Sequence, residues 1–378
     1  MPDSLIINAF ATPDGHVYFT RGIMAYFNDE AQFTGVLGHI TARHGQRQQT
    51  RSTLASLGLL LGSVVSPNVV GRLTQPLSQG IGVLFLKYSR DNENEADALG
   101  VKYSTKTGYD ASHMASFFQT LERTEQASGG SGVPTFLSTH SNSADRYQRV
   151  KGLATQAQQS MGKTTLKINR DSYLHSIDGL VFGDDPRQGF VEGNVFYQPE
   201  LKLRLPVPAG WKTENTPAQF QMSEPSGKAV LVFTNAPAGA VATAAINGFP
   251  AVSFEGDQPA SSWSSSAPAT PTHVRGYVMQ DGQTNYAVLG LAPTASFGTY
   301  AEQFNQVARG LQRLTDTSRL GRQAERIRIK QVKTATTLRQ ALTANGVLSA
   351  RLEQLAIVNG MQFTDQLPAG TLFKVVGK

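Results

Sequence analysis

The chain has 378 residues, enough for about two or three domains with at least one substantial core. Apolar residues make up 40% and charged residues 16%, a balance that fits a globular protein and excludes wholesale disorder. The net charge of +6 is mild and the basic residues are spread out, which argues against nucleic-acid binding. The chain has no cysteine, so disulfides, thiolate zinc sites and cysteine nucleophiles are excluded.

The first residues alternate in strand fashion and predict a hairpin over residues 5–22, with Pro13-Asp14-Gly15 as its turn. No secretory signal follows Met1. A start almost inside a strand favours an incomplete gene product as one interpretation of the chain. The most apolar run, Leu54–Val70, is short and is broken by Pro67, so it favours a buried or interfacial helix over a membrane span.

Helical periodicity dominates the next part of the chain. A helix is predicted from Glu30 to Gln49, capped by Asn28 or Asp29, because its apolar residues recur on one face. A charged helix is predicted near residues 89–100. Further amphipathic helices are predicted over 112–126 and 144–160.

The composition changes near residue 165, where short strand-like runs rich in Gly, Pro, Thr and Val begin. A helix over Tyr300–Leu314 is predicted to close this part. The predicted class is α+β: a mostly helical domain with a small edge sheet, a mixed α/β domain and a small βααβ module. The predicted organisation is a first domain at 1–165, a connector at 166–188, the α/β domain at 189–317, a linker at 318–330 and the module at 331–378.

Two histidines, His39 and His44, lie on the predicted Glu30–Gln49 helix, and two acids, Glu93 and Asp97, share one face of the charged helix at i, i+4. A hydrolytic zinc site needs three protein ligands, an open position for water and a general base. The economical arrangement is His-Glu-x-x-His on a helix, with a third ligand from a later helix.

Several short motifs occur in one order: Asn8-Ala9-Phe10-Ala11 through Thr20-Arg21-Gly22, Val36-Leu37-Gly38-His39, Thr41-Ala42-Arg43-His44, Ser89-Arg90 with Glu93 and Asp97, and Ser138-Thr139-His140 followed by Arg146. Together they resemble the CAAX-prenyl-protease/HtpX-type zinc metallopeptidases, particularly their soluble periplasmic branch. The resemblance covers residues 1–160 almost continuously.

The resemblance implies a role for each matching residue. His39 corresponds to either of the two helix histidines, since the flanks fit on both sides. Glu93 would be the carboxylate zinc ligand, and Asp97 would orient a ligand histidine. His140 would be an additional or regulatory ligand. Asn8, Ala9 and Phe10 would lie on the strand that pairs with a polypeptide substrate.

The chain departs from the family pattern at its principal motif. His39 is followed directly by Ile40, and four residues, including the general-base Glu and one ligand His, are absent. His44 is a poor substitute, because helical residues five apart point about 140° apart. Removing four residues rotates the remainder of the helix by only about 40°, so the fold is expected to survive. The sequence therefore predicts a peptidase-like fold with an impaired or absent zinc site.

The remaining segments favour binding rather than catalysis. Residues 197–211 with the closing helix resemble an α/β domain that comes after this peptidase in some bacterial proteins. The tail, with Asn359-Gly360 and Pro368-Ala369-Gly370 at its turns, resembles a LysM-like module that contacts peptidoglycan. A small structural appendage is the alternative interpretation.

The family implies a zinc metalloendopeptidase that degrades misfolded envelope proteins, periplasmic or outer-membrane-associated and at most peripheral to the membrane. The alternative is a non-catalytic pseudo-peptidase that acts as a chaperone or adaptor on polypeptide clients, or as a peptidoglycan-associated binding protein.

Overall fold

A computed structural model describes residues 3–12, 14–49, 90–127, 144–162, 165–216, 219–236, 244–246, 249–258, 272–281 and 284–378. Two compact units emerge. The helical unit comprises Met1–Ser56, Leu84–Asp184 and Ala324–Lys378, and the sheet unit comprises Leu57–Val83 and Asp185–Gln323. The described residues combine helices with several antiparallel sheets, as expected for an α+β fold.

The helical unit opens with the predicted hairpin. Strands β1 (Ala9–Ala11) and β2 (Val17–Phe19) pair antiparallel, with Ala9 opposite Phe19 and Ala11 opposite Val17. Gly15 has φ +93° in the turn, a conformation that glycine adopts without strain. The hairpin prediction is confirmed.

The helices of this unit occur in the predicted order: α1 Arg21–Tyr26, α2 Glu30–Gln49, α3 Arg90–Lys106, α4 Ser112–Ala127, α5 Ala144–Met161 and α6 Arg170–Ser176. Helix α2 has the predicted bounds. Asp29 caps it, because its Oδ1 accepts a hydrogen bond from the backbone N–H of Gln32 at 2.7 Å. Buried aromatic residues hold these helices together, with Phe27 and Phe117 in ring contact at 4.4 Å between centroids.

The C-terminal residues form a βααβ arrangement inside the helical unit. Its elements are β14 (Arg326–Gln331), β15 (Thr336–Thr337), α9 (Leu338–Ala344), α10 (Leu352–Val358), β16 (Gln366–Leu367) and β17 (Leu372–Gly377). Strand β14 pairs with β17, and β15 with β16. The first strand begins at Arg326, within the stretch expected to be a linker. Ile327, Leu355 and Phe373 join the same buried cluster as Phe27 and Phe117.

The sheet unit contains two antiparallel sheets. Its strands are β3 (Phe190–Glu192), β4 (Val195–Gln198), β5 (Leu203–Pro206), β6 (Lys212–Asn215), β7 (Gln219–Ser223), β8 (Val230–Asn235), β9 (Ala244–Ile246), β10 (Phe249–Gln258), β11 (Thr272–Asp281), β12 (Thr284–Pro293) and β13 (Gln312–Arg313). The larger sheet has the order β6-β7-β8-β12-β11-β10-β9, and the smaller has the order β13-β5-β4-β3.

The closing helix of the sheet unit differs from the prediction. Helix α7 spans Phe297–Arg309 rather than Tyr300–Leu314, because Gln312 and Arg313 leave the helix to pair with Arg204 and Leu203 of β5. A short helix α8 (Thr317–Leu320) comes next, capped by Asp316.

None of the helices that the structure describes is long and apolar enough to cross a bilayer. The apolar run Leu54–Val70 and the loop residue His140 lie outside the described residues.

Candidate active site

Helices α2 and α3 cross with their backbones in close contact, and this crossing positions the candidate site. A Cβ atom at Gly38 would lie 3.1 Å from the Cα of Gly100, and a Cβ atom at Gly100 would lie 3.0 Å from the backbone nitrogen of His39. Both contacts are tighter than most Cβ contacts, so a side chain at either position would force the backbone of the other helix to shift by a few tenths of an ångström. The close approach brings His39 directly against the acidic face of α3.

Three of the predicted residues meet at this crossing. His39 Nδ1 lies 2.9 Å from Asp97 Oδ1, and His39 Nε2 lies 3.6 Å from Glu93 Oε2. His39 and Asp97 are fully buried, and Glu93 is 1% exposed. One ring nitrogen therefore faces an orienting carboxylate while the other faces a second carboxylate, as in a zinc-ligand histidine with its supporting acid.

Guanidinium groups surround the two carboxylates. Arg146 donates two hydrogen bonds to Asp97, from Nε to Oδ2 at 2.9 Å and from Nη2 to Oδ1 at 2.6 Å. Arg149 Nη2 donates a third hydrogen bond, to Asp97 Oδ2 at 2.8 Å. Glu93 is also approached by Arg43 Nε at 3.4 Å and by Arg146 Nη2 at 3.6 Å. Paired and hydrogen-bonded geometry of this kind is what allows acids to remain charged in the interior.

The network shifts the pKa values of Asp97 and His39. Burial alone would raise the pKa of Asp97, but the charge of Arg146 and the contacts from His39 hold that pKa well below its ordinary value. Burial lowers the pKa of His39, and the neighbouring Asp97 offsets this only in part. At neutral pH the site therefore holds a neutral imidazole beside an ionised Asp97.

The described residues do not complete a catalytic zinc site. His39 and Glu93 supply two suitable donors, yet no group of three or more His, Asp or Glu side chains in the described part of the chain is arranged to hold a metal ion. Ile40, which directly follows His39, is buried in the apolar core and cannot act as a general base. None of the seven histidines in the sequence is followed by Glu, so the His-Glu-x-x-His motif is absent from the whole chain.

The other two predicted ligand positions add nothing to this donor set. His44 lies on the same unbroken helix as His39, in the part of α2 whose side chains are outside the description. His140 lies outside the described residues. Their roles stay predictions.

The predicted substrate strand is β1. The backbone N–H of Thr20 donates a hydrogen bond to the backbone carbonyl of Asn8 at 3.1 Å. Ala9 is buried, and the ring of Phe10 stacks on Tyr18 at 5.3 Å between centroids. In an antiparallel pair, hydrogen-bonded and non-hydrogen-bonded residue pairs alternate along the strands, so the two edges of the hairpin differ. The contact of Asn8, Ala9 or Phe10 with a substrate stays a prediction.

No role was predicted from the sequence for Arg43, Arg149 or Phe118, although all three belong to the site. Arg43 stands four residues after His39, and Arg149 stands three after Arg146, so each pair shares one helix face. Phe118 lies under the guanidinium of Arg146, whose central carbon is 3.8 Å from the ring centroid. The i, i+3 and i, i+4 spacing of the arginines could have predicted that they belong to the site. No local sequence pattern predicts this for Phe118.

A buried histidine that is oriented by one carboxylate and faces a second resembles part of the ligand set of zinc peptidases, which pair histidines with a carboxylate. Residues 1–154 match the model of Peptidase family M48.

Relatives from bacteria and mitochondria also match parts of the chain. The Escherichia coli (strain K12) beta-barrel assembly-enhancing protease is 28% identical over 180 residues, which cover 44% of this chain and 36% of that protein. The Bos taurus mitochondrial metalloendopeptidase OMA1 is 29% identical over 236 residues, covering 59% of this chain and 42% of that protein. A putative beta-barrel assembly-enhancing protease from Vibrio cholerae is 30% identical over 151 residues, covering 37% of this chain and 31% of that protein.

The matched region thus spans about a third to two fifths of the length of these relatives. Among solved structures, one from Bacteroides thetaiotaomicron VPI-5482 aligns over 50% of this chain and 87% of its own with 11% identity and a TM-score of 0.26, which is too low to support an inference.

Proposed function

We propose that this chain is an M48-family protein that binds polypeptides of the bacterial envelope and has an impaired capacity for zinc-dependent hydrolysis. One observation carries the proposal: Arg43 and Arg146 lie against the carboxylates at the α2–α3 crossing, and the residue directly after His39 is Ile40, which cannot act as a base. A zinc hydrolase needs a base beside the metal-bound water, and this helix offers none.

The residues present do not fit the family's catalytic zinc centre. The two donors among the described residues fall short of the three protein ligands that such centres use. Among the same described residues, three guanidinium groups face two carboxylates at this centre, and this surplus of basic groups disfavours a further cation. A binding protein derived from a peptidase would keep the peptidase fold without the hydrolytic activity.

Polypeptide recognition is supported by the relatives, whose names describe proteases and a factor for β-barrel assembly. In this chain the hairpin of β1 and β2 would present a strand to an extended client near Asn8, Ala9 and Phe10. A periplasmic or outer-membrane location, and peptidoglycan contact through residues 331–378, belong to the same proposal.

A second function, active zinc-dependent endopeptidase, is favoured by the geometry of His39. Its Nε2 is 3.6 Å from Glu93 Oε2 while Asp97 orients the opposite nitrogen, and ligand atoms about 2.1 Å from one zinc ion lie at comparable separations. This function requires the remaining ligand to come from outside the described residues, where His140 lies.

Casein cleavage by the purified chain, with and without a metal chelator, separates the two functions. We expect binding of unfolded, fluorescently labelled casein that the chelator does not change, and no chelator-sensitive cleavage. A matched variant carries Glu-Ala-Ala-His inserted between His39 and Ile40, which restores the family spacing; a gain of zinc-dependent cleavage in this variant supports the proposal directly.

Chelator-sensitive cleavage by the unmodified chain, lost in Glu93→Gln, would overturn the proposal in favour of the active peptidase. Failure to bind casein at all would overturn the polypeptide-binding part.

A further inference from the structure

The sheet unit contains a cleft that the proposed function does not use. It lies where strands β6, β7, β8 and β12 of the larger sheet meet β4 of the smaller one, and its volume is about 330 Å³. Small-molecule sites begin at roughly 300 Å³. We call it the amide cleft, because side-chain amides of Gln198, Asn215, Gln219 and Asn235 line it.

The floor of the amide cleft is aromatic and rigid. Phe196 and Phe220, from different sheets, stack with centroids 3.7 Å apart and planes 6° apart. Phe233 stacks on Tyr286 with centroids 5.6 Å apart and planes 28° apart. All four side chains are buried, so the floor offers a fixed apolar surface rather than a mobile one.

Of the five Gln and Asn side chains among the described lining residues, four divide into a fixed pair and an available pair, and the fifth is Gln188. Gln198 Nε2 and Asn215 Nδ2 both donate to the backbone carbonyl of Gln188, at 2.9 and 3.0 Å, and so are preorganised. Gln219 and Asn235 stand on the adjacent strands β7 and β8, where Gln219 pairs with Thr234, the neighbour of Asn235.

Gln219 exposes 9% of its surface, and its side-chain amide hydrogen-bonds none of the residues that the structure describes. Its polar atoms are not among the buried unpartnered ones, so they reach the cleft and are available as donor and acceptor to a ligand there. An amide of this kind beside a cleft points to a ligand that completes its hydrogen bonds.

Charge restricts the ligand class. Among the described residues that line the cleft, Glu200 is the one charged side chain, and no Lys, Arg or His contributes. Phosphate, carboxylate and nucleic-acid ligands are usually held by basic side chains. The amide cleft therefore favours a neutral, hydrogen-bonding ligand.

The sheet topology disfavours an extended peptide. Strand β8 pairs with β7 on one side and with β12 on the other, and β12 pairs in turn with β11. Their backbone groups are committed, so a peptide could not add as a further strand along them. A ligand would be recognised by side chains instead.

We propose that the amide cleft binds a neutral oligosaccharide. Side-chain amides present a donor and an acceptor together, which matches sugar hydroxyls that donate and accept. The apolar C–H face of a sugar ring would pack on the aromatic floor, in the way that amphipathic ligands use such surfaces. This site is separate from residues 331–378, for which peptidoglycan contact was proposed, and it does not rest on the peptidase-derived function.

Isothermal titration calorimetry on the full chain tests the proposal, with maltotriose, cellotriose and chitotriose as probes and trialanine as the peptide comparison. At least one oligosaccharide should bind with a Kd of about 1 mM or tighter, and trialanine at least tenfold more weakly. Gln219→Leu should weaken oligosaccharide binding by about tenfold or more.

The matched control is Gln221→Leu, the same change two residues along β7, at a glutamine that hydrogen-bonds Ser223 and does not line the cleft. Its Kd should equal that of the unmodified chain. Asn235→Ala, at an exposed lining residue, replaces Gln219→Leu should the latter fail to fold. Absence of binding by all three oligosaccharides, tighter binding of trialanine, or equal effects of the cleft and control variants would each overturn the proposal.

Discussion

Two of the buried cations of the helical unit are held in different ways. Arg146 is held by carboxylates of Asp97 and Glu93. Lys374 is fully buried, and in the part of the chain that the structure describes its ammonium donates to the backbone carbonyls of Ala25, Phe27 and Val358, at 2.9, 2.6 and 2.9 Å. These carbonyls stand at the C-terminal ends of α1 and α10, where the helix dipole favours a positive charge.

The difference separates a network of acids and arginines from a structural clamp. Two acids and a histidine converge in the interior where a charge is compensated or a metal ion is bound. At this site, arginines compensate the charge of the acids. No described carboxylate forms an ion pair with Lys374, whose hydrogen bonds tie the C-terminal βααβ segment to the end of α1. Burial lowers the pKa of Lys374 well below its ordinary value, with the charge of Arg170 adding to the effect and Asp29 opposing it.

The largest effect is expected from Arg146→Met. Breaking a buried charge pair leaves Asp97 and Glu93 undercompensated, and the free energy of unfolding should fall by about 3–5 kcal/mol. Urea denaturation followed by circular dichroism measures it. The control is Arg149→Met, which removes a second contact to Asp97 from a side chain that is 32% exposed, and which should cost no more than about 1 kcal/mol. Equal losses in the two variants would contradict this distinction.

Gly100→Ala should have the next largest effect. The added methyl group would press on the backbone of His39 at 3.0 Å, so the helices must separate, at a cost of about 1–3 kcal/mol. The same substitution at Gly152, a helical position on α5 with no neighbour within 4 Å, should instead stabilise by about 0.5–1 kcal/mol. Thermal unfolding of both variants gives the comparison, and a neutral Gly100→Ala would show that the crossing tolerates a wider spacing.

Lys374→Met is expected to cost about 1 kcal/mol, less than Arg146→Met. It removes three hydrogen bonds but also removes the desolvation of a buried cation, and it leaves no charge behind. The measurement is urea denaturation at pH 7. A loss as large as that of Arg146→Met would show that the two cations are not held in the different ways described.

The smallest effect concerns pH. His113 Nδ1 lies 2.7 Å from Asp29 Oδ2, and this contact raises the pKa of His113, with Asp110 adding to it. Because the folded pKa lies above the unfolded value of about 6.5, the stabilisation is complete below that pH and is lost as pH rises through the folded pKa.

His113→Gln should therefore reduce stability more at pH 5.5 than at pH 8.5, by less than about 1 kcal/mol. Urea denaturation at the two pH values provides the test. A pH-independent difference would mean that the pair does not titrate in this way.

The sequence was sufficient for local structure and for part of the site. Capping by Asp29 and the apolar face of α2 fixed its bounds, and the i, i+4 spacing of Glu93 and Asp97 placed both acids toward one neighbour. The sequence was not sufficient to predict contacts between segments that lie far apart along the chain. The guanidinium of Arg146 reaches Asp97 across 49 residues of sequence, and Lys374 reaches Phe27 across 347. Such contacts leave no periodic signal.

The same limitation explains the errors at element ends. Helix α7 was predicted to continue to Leu314, since its apolar periodicity does, yet pairing of Gln312–Arg313 with β5 ends it at Arg309. Strand β6 is exposed along its whole length, so no alternation marked it.

Arginines, rather than a metal ion, are proposed to balance the charges of Glu93 and Asp97 at the α2–α3 crossing. Zinc content and the chelator dependence of thermal unfolding test this most directly. We predict well under one zinc ion per chain by mass spectrometry after dialysis, and an unfolding temperature unchanged by chelator. One zinc ion per chain, with a loss of stability of about 2.7 kcal/mol or more on chelation as expected for a tightly bound metal, reversed by added zinc, would contradict it.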